Sequence, residues 1–126
     1  MNSLEIAATN TTPEVLFDPN MNLLIMNGEL YPENATAFFS PLINWLEGFL
    51  GKKNEPITCN INIPYFNTSS SKYLMHIFEM LNRAHKKEKK IIINWYYEEG
   101  DEMSMECGEE FQEDLDLQFE LVEKKS

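Results

Sequence analysis

Residues 57–81 read ITCNINIPYFNTSSSKYLMHIFEML and contain two different patterns of hydrophobicity. From Ile57 to Ile63, apolar and polar residues alternate strictly, so all the apolar side chains lie on one face of a predicted β-strand. From Leu74 to Leu81, apolar residues recur at helical spacing and predict an amphipathic helix. The segment therefore predicts a half-buried strand that is followed, after a short connection, by a helix.

Four consecutive residues with hydroxyl groups, Thr68 to Ser71, open this predicted helix, and Lys72 follows them. The first N–H groups of a helix have no partners within the helix, and hydroxyl side chains or bound anions satisfy them well. Capping requires only one hydroxyl, whereas this segment supplies four. From the residues alone, two interpretations remain open: the hydroxyls only cap the helix, or the helix start has a function.

The composition is typical of a globular protein. The chain has 126 residues, of which 43% are hydrophobic, and we expect a single domain over residues 1–126. The net charge of −11 argues against nucleic acid and anionic membrane surfaces, because phosphate contacts need clustered Lys and Arg. Met1 to Ile6 lacks the features of a signal peptide, and no run approaches transmembrane length. We therefore expect a cytoplasmic protein without membrane insertion.

Strands are predicted on the N-terminal side of the central segment. Leu4 to Ala7 is typical of a short edge strand. Glu14 to Phe17 and Leu23 to Met26 are apolar runs on either side of the turn sequence Asp18-Pro19-Asn20. These two runs predict a β-hairpin near the start of the chain.

A helix is predicted from Ala35 to Leu50, where apolar residues recur at helical spacing and Gly51 provides a stop. Pro41 interrupts this pattern, because proline has no backbone N–H to donate within a helix. Two alternatives follow: a new helix begins at Ser40-Pro41, or one long helix is bent at Pro41.

The C-terminal third predicts two more strands with a helix between them. Ile91 to Tyr97 and Leu117 to Leu121 show strand patterns. The order of elements is therefore strands first and then alternating helices and strands, which predicts an α/β fold with a mixed sheet of about six strands and three to four helices. Because several strands carry polar residues on one side, we expect the helices to cover one face of the sheet more fully.

The last predicted helix, from Met103 to Leu115, has a thin apolar stripe. The stripe consists of Met103, Cys107 and Phe111, and we expect it to rest on the core. Gly108 lies inside this helix and is expected to weaken it.

Sequence motifs for catalysis or metal binding are missing. The chain has no phosphate-cradling glycine loop, no nucleophile elbow and no paired Cys or His metal spacing. His76 and His85 are interpreted as packing residues or as charges near a helix end, and Cys59 as a small core residue. Cys59 and Cys107 form no disulfide framework. We therefore expect no metal, no cofactor and no enzymatic activity.

Acidic residues concentrate near the C-terminus. The segment from Glu98 to Glu123 contains 12 of the 21 Asp and Glu residues and no Lys or Arg. It is either a solvated helix face or a docking surface for a basic partner, since like charges at this density cost stability.

Motifs along nearly the whole chain resemble those of a known bacterial family. They are Thr12-Pro13-Glu14, Phe17-Asp18-Pro19, Tyr31-Pro32-Glu33-Asn34, Trp45-Leu46-Glu47, Tyr65-Phe66-Asn67-Thr68-Ser69-Ser70-Ser71-Lys72, Trp95-Tyr96-Tyr97, Gly108-Glu109-Glu110-Phe111 and Phe119-Glu120-Leu121. Together they look like the SiaC type of small regulatory phosphoproteins. The resemblance implies a STAS-like fold, in which a phosphorylatable hydroxyl follows a strand at the start of a helix. By the family's motif, the phosphorylation site is Thr68, and Ser71 is a poor alternative.

The resemblance also implies a partner-switching circuit. A Ser/Thr kinase with a histidine-kinase-like ATPase fold phosphorylates the protein, and a PP2C-type phosphatase reverses the modification. The unphosphorylated form binds and activates a diguanylate cyclase, which raises cyclic di-GMP and favours biofilm formation. The partner-binding residues are expected to be Tyr65, Phe66, Asn67, Thr68, Ser69, Ser70 and Lys72. The aromatic pair Tyr65 and Phe66 is either an anchor for the partner or part of the core. Two alternatives are a small phosphate-binding domain or enzyme that uses the Ser-rich helix start, and a constitutive adaptor without phosphorylation.

Overall fold

The computed structural model describes residues 1–52 and 55–125. The described residues form six strands and three helices, which confirms the predicted α/β class. In chain order they are β1 (Leu4–Ile6), β2 (Glu14–Asp18), β3 (Leu23–Asn27), α1 (Ala35–Leu50), β4 (Ile57–Asn62), α2 (Thr68–Lys86), β5 (Ile91–Glu98), α3 (Glu102–Glu113) and β6 (Gln118–Lys124). Most observed bounds agree with the predicted bounds to within two residues.

The six strands form one mixed sheet whose spatial order is the same as their order in the chain. β1, β2 and β3 pair antiparallel, and the pairs from β3 to β6 are parallel. Each parallel step crosses over through one helix and moves in the same direction across the sheet. Because such crossovers are almost always right-handed, all three helices lie on the same face.

The covered face of the sheet carries the core in continuous rows. One row passes through Phe17, Leu24, Cys59, Ile93 and Phe119, which face one another across neighbouring strands and are all buried. The prediction that Cys59 is a core residue is confirmed, and its burial raises the pKa of the thiol to about 12. A thiol in this environment stays protonated and unreactive at neutral pH.

The opposite face of the sheet carries polar side chains at its centre. Asn94 Nδ2 donates to Asn60 Oδ1 at 2.9 Å, and Asn62 Nδ2 donates to Asn27 Oδ1 at 2.8 Å. These cross-strand amide pairs satisfy polar groups on a face that the helices leave uncovered. The prediction that helices cover one face more fully is therefore confirmed.

α1 is one continuous helix, so the alternative of a new helix starting at Ser40 is wrong. The side chain of Asn34 caps it by accepting from Ala37 N at 3.0 Å. Pro41 lies inside the helix and cannot donate to the carbonyl four residues earlier. The hydroxyl of Ser40 donates to Thr36 O at 2.7 Å and adds a local side-chain bond just before this gap.

α3 packs on the core through two of the three predicted residues, Cys107 and Phe111, and through two small residues that were not predicted. Met103, the first member of the predicted stripe, is 76% exposed, whereas Ser104 and Gly108 are buried. The Trp95 Nε1 group donates to Ser104 O at 2.9 Å. A Cβ on Gly108 would lie 2.6 Å from Trp95 Cδ1, so only glycine allows α3 to approach the Trp95 ring this closely. The prediction that Met103 rests on the core is wrong, because Ser104 and Gly108 take the inward positions at this end of the helix, whereas the prediction is confirmed for Cys107 and Phe111.

The close contact at Gly108 predicts that Gly108→Ala destabilises the protein. Alanine is favoured over glycine in a helix by about 0.8–1 kcal/mol, but overpacking a core costs about 1–3 kcal/mol. The added Cβ would also meet Leu121 Cδ2 at 2.6 Å. We expect the clash to dominate and the free energy of unfolding, measured by urea denaturation, to fall by about 1 kcal/mol or more.

Gly48 in α1 provides the matched control. It is exposed, and a Cβ there would meet only the flexible end of Met1 at 3.4 Å. Gly48→Ala should therefore raise the free energy of unfolding by up to about 1 kcal/mol. If both variants were stabilised equally, the inference that the contact between Gly108 and Trp95 is too close for a Cβ would be wrong.

Candidate functional site

The start of α2 lies at the carboxyl end of β4 and is held there by backbone hydrogen bonds. Leu30 N donates to Tyr65 O at 3.0 Å, and Asn67 N donates to Leu30 O at 3.2 Å. These bonds join Leu30 and Phe66 as an isolated parallel bridge. The connection between β4 and α2 is therefore fixed against the segment that follows β3.

Asn67, and not a hydroxyl residue, is the N-cap of α2. Its side-chain Oδ1 accepts from Ser70 N at 3.1 Å, and its backbone carbonyl accepts from Ser71 N at 3.0 Å. The first contact satisfies one of the N–H groups that a helix start leaves without partners, and the second is the first regular hydrogen bond of the helix. The interpretation that the four hydroxyls only cap the helix is therefore wrong.

The four hydroxyl groups have four different environments. Thr68 is exposed, and its Oγ1 has no hydrogen-bond partner within the described residues. Ser69 is also exposed, and its Oγ lies 3.5 Å from Asn67 Oδ1, at the limit of a hydrogen bond. Ser71 Oγ donates to Thr68 O at 2.7 Å. The side chain of Ser70 is fully buried and is not accessible to a partner here, although it was expected in the partner-binding set.

The backbone at Thr68 favours a negatively charged group. Thr68 is the first residue of α2, and within the described part of the chain neither its N–H nor that of Ser69 is hydrogen-bonded. The first turn of α2 has no acidic residue, and exposed Lys72 follows one turn later. Free N–H groups and the positive end of the helix dipole both attract anions. An anion attached to the Thr68 side chain therefore finds donors already in place.

Two exposed tyrosines lie next to this helix start. Tyr65 is 54% exposed, Tyr31 is 38% exposed, and their rings meet edge to face with centroids 5.6 Å apart. Phe66 instead points inward and packs against Trp95 and Phe111, at 6.2 and 6.0 Å between centroids. Of the two aromatic residues predicted as anchors, Tyr65 is therefore presented to solvent and Phe66 belongs mainly to the core.

Tyr31 was not among the predicted site residues. It reaches the site because Leu30, its neighbour, pairs with the loop that carries Tyr65. Tyr31 N also donates to Thr11 O at 2.7 Å, which fixes the backbone at this point. The available signal was the motif that begins at Tyr31, but its distance from Thr68 in the chain concealed the contact.

Other candidate residues do not converge on a metal or membrane site. Among residues 1–52 and 55–125, no three His, Cys, Asp or Glu side chains are placed to hold a metal ion. In the same ranges, no helix is long and apolar enough to span a membrane. His76 is exposed on α2, and His85 lies in its last turn with Arg83 and Lys86. Cys59 and Cys107 are both free.

Residues 6–124 match the family model described as SiaC family regulatory phosphoprotein. The chain belongs to the SiaC family. An uncharacterised protein of Pseudomonas aeruginosa strain UCBPP-PA14 is 35% identical over 121 residues, which cover 96% of each chain. The resemblance found in the sequence is confirmed. So is the prediction of a non-catalytic protein, because this SiaC family consists of regulatory phosphoproteins.

Solved structures of SiaC from Pseudomonas aeruginosa have the same fold. Apo-SiaC is 34% identical, with a TM-score of 0.90 over 97% of this chain and 99% of that one. The complex of the diguanylate cyclase SiaD with its activator SiaC contains a chain that is 34% identical, with a TM-score of 0.93. That match covers 96% of this chain and 99% of the other. The fold seen here is therefore the fold of the SiaC family.

The capping geometry predicts that Asn67→Ala lowers the free energy of unfolding by about 1 kcal/mol, since an uncapped helix start leaves N–H groups unsatisfied. Asn67→Asp keeps a side-chain oxygen at the cap and should change stability by only a few tenths. Thr68→Ala removes an exposed hydroxyl without a partner and should stay within about 0.5 kcal/mol of the parent. Thermal and urea denaturation measure all three. A loss at Thr68→Ala equal to that at Asn67→Ala would contradict the assigned cap.

Proposed function

We propose that this protein is a phosphorylation switch at Thr68, whose unphosphorylated form binds and activates a diguanylate cyclase. The observation that carries the proposal is the exposed hydroxyl of Thr68, which has no hydrogen-bond partner within the described residues and lies at a helix start with free N–H groups. Membership in a family of regulatory phosphoproteins supports it. So does the complex in which a relative of the same fold is the activator of a diguanylate cyclase.

The chemistry of the helix start favours a phosphate on Thr68 over one on Ser70 or Ser71. A phosphate adds about −1.5 to −2 charge at neutral pH. The dipole and the free N–H groups of α2 stabilise that charge by about 0.3–1 kcal/mol at an exposed site. Ser70 is buried and Ser71 is already hydrogen-bonded to Thr68 O, so neither presents its hydroxyl to a kinase. Phosphorylation should leave the fold intact.

The effect on a partner is local. Tyr65 and Tyr31 are exposed next to Thr68, and tyrosine is enriched among residues that contribute most to binding. A partner that packs over these rings would have to desolvate a phosphate at Thr68, and burying an unpaired charge is costly. The phosphorylated form is therefore the inactive one.

The remaining parts of the circuit rest on the family resemblance. The kinase is of the histidine-kinase-like Ser/Thr type, the opposing enzyme is a PP2C-type phosphatase, and the output is cyclic di-GMP and biofilm formation in the cytoplasm of a bacterium. The other predicted partner-binding residues, Asn67, Ser69 and Lys72, lie around Thr68 on the same helix start. Lys72 is placed to interact with a phosphate one turn away.

A direct test compares Thr68→Ala, Thr68→Glu and the control Ser69→Ala. With the cognate kinase and ATP, mass spectrometry should locate the phosphate at Thr68 in the parent and in Ser69→Ala, and Thr68→Ala should remain unmodified. Ser69→Ala controls only for the site of modification. Unphosphorylated parent and Thr68→Ala should stimulate the cyclase. Phosphorylated parent and Thr68→Glu should not, although circular dichroism should show all of them folded.

Three outcomes would contradict the proposal. Modification only at Ser69 would move the switch to another residue. A phosphorylated form that activates the cyclase fully would favour the constitutive adaptor. Turnover of a phosphoester by the purified protein, abolished in Thr68→Ala, would favour the alternative of an enzyme that holds a substrate phosphate at the helix start.

A further inference from the structure

A cavity lies at the end of the molecule opposite to Thr68. The amino ends of β4 and β5 and the loop after α2 line it, and its volume is about 500 Å³, within the usual range of small-molecule clefts. Ile57 N donates to Lys90 O at 2.9 Å, which joins the loop to the start of β4. Thr68 and His85 are separated by roughly 26 Å along the axis of α2. The cavity is therefore remote from the helix start that carries the switch.

Part of the lining is apolar. Pro56 and Ile57 contribute it at the start of β4, and Ile91 and Ile92 at the start of β5. Ile57 and Ile91 are register partners and are buried, whereas Ile92 lies on the uncovered face of the sheet and is half-buried. Within the described residues, the lining contains no Phe, Tyr or Trp on which a nucleobase could stack. An aliphatic group therefore suits this cavity better than a nucleotide.

Another part of the lining is basic and consists of His85, Lys89 and Lys90. It belongs to a cluster, because five of the ten Lys and Arg residues lie between Arg83 and Lys90 in a chain with a net charge of −11. Cations in the last turn of a helix complement its dipole, but this effect falls off beyond that turn. Lys89 and Lys90 follow the C-cap residue Lys87, so the dipole of α2 does not account for them.

Two of these basic side chains have features of a ligand site. Lys89 Nζ donates to Lys52 O at 2.6 Å, which holds this ammonium group in place. His85 Nδ1 is shielded from solvent and has no hydrogen-bond partner within the described residues. Leaving such a nitrogen unpaired costs free energy. A half-turn of the imidazole ring towards an anion in the cavity would give it a partner.

The charges of the lining match a ligand with a single negative charge. Lys89 and Lys90 supply two ammonium groups, and the exposed carboxylate of Glu88 offsets one of them. One positive charge therefore remains without counting His85. A monocarboxylate balances this charge, whereas a phosphate monoester, with about −1.5 to −2 charge at neutral pH, exceeds it.

We propose that this cavity binds a free aliphatic carboxylate of the fatty-acid type. The carboxylate accepts charge-assisted hydrogen bonds from Lys90 and His85. The aliphatic chain lies on Pro56, Ile57 and Ile92, where each CH₂ group removed from water adds to the affinity. The site is independent of the proposed function, because its lining shares no residue with the helix start at Thr68.

Histidine NMR provides a direct test, because the chain has only two His residues and one of them lines the cavity. Decanoate, added below its micelle concentration and at constant pH, should shift the imidazole signals of His85 saturably. The signals of His76, which lies on α2 closer to Thr68, should not move. Hexanoate should bind at least about tenfold more weakly, because it removes fewer CH₂ groups from water.

Lys90→Gln and Lys87→Gln form a matched pair of variants. Each removes one exposed ammonium group from the same basic cluster, but only Lys90 lines the cavity. In calorimetric titrations, decanoate binding should weaken about fivefold or more in Lys90→Gln and stay within about twofold in Lys87→Gln. Ile92→Asn places an amide in the apolar lining and should weaken binding about tenfold, with an unchanged circular dichroism spectrum.

Four results would overturn the proposal. They are the lack of a saturable shift at His85, equal shifts at His85 and His76, equal weakening in the two Lys variants, and binding that is unchanged in Ile92→Asn. Vesicles of phosphatidylglycerol distinguish the source of the ligand. If the protein sedimented with these vesicles but did not bind dissolved decanoate, the surface would recognise a membrane and the assignment to a free carboxylate would be wrong.

Discussion

The interactions of Asn67 hold the start of α2 in place, and the geometry of the site depends on them. Its N–H is bonded to the carbonyl of Leu30, its side chain caps the helix through Ser70 N, and its own carbonyl accepts from Ser71 N. One residue thus joins the helix to the end of the sheet and accepts hydrogen bonds from the N–H groups of Ser70 and Ser71, while those of Thr68 and Ser69 stay free within the described chain. Because Asn67 performs the capping, the hydroxyl of Thr68 is not needed for structure and remains exposed at the surface.

Local patterns were sufficient for most of the fold. The alternation in β4 and the helical spacing in α1 and α2 each reflect one buried face, and a single face produces a clear periodic signal. α3 was assigned to the correct region, with Phe111 correctly placed against the core and Met103 incorrectly placed there. Its closest approach to the sheet is made by Ser104 and Gly108, whose small size matters only because Trp95 lies opposite. Such a contact joins residues from different elements of the fold, and a periodic pattern of large apolar residues does not predict it.

The site was predictable to a similar extent. Thr68 and Tyr65 were located by motif resemblance, and both are exposed where the fold places them. The burial of Ser70 agrees with the helical spacing, because it lies four residues before Leu74 on the same face, although its hydroxyl gives no apolar signal. The approach of Tyr31 was not predictable, because it depends on the bridge between Leu30 and Phe66, which lie 36 positions apart. The acidic segment from Glu98 to Glu123 likewise does not act as one surface, because the fold distributes its carboxylates over several elements. Glu98 and Asp116 pair with Lys124 and Lys86, while the α3 carboxylates remain on the outer surface.

The strands have the same order in the sheet as in the chain, and this order has a consequence for folding during synthesis. Each strand from β2 onward pairs with the strand that precedes it in the chain, so no strand has to insert between two that are already joined. During synthesis the N-terminal part emerges first, and every later strand meets an edge that already exists. The hairpin of β2 and β3 acts as a template, and β4, β5 and β6 extend it in turn. The helix start at Thr68 leaves the ribosome before α3, so the acidic α3 is the last helix of the described chain to be added.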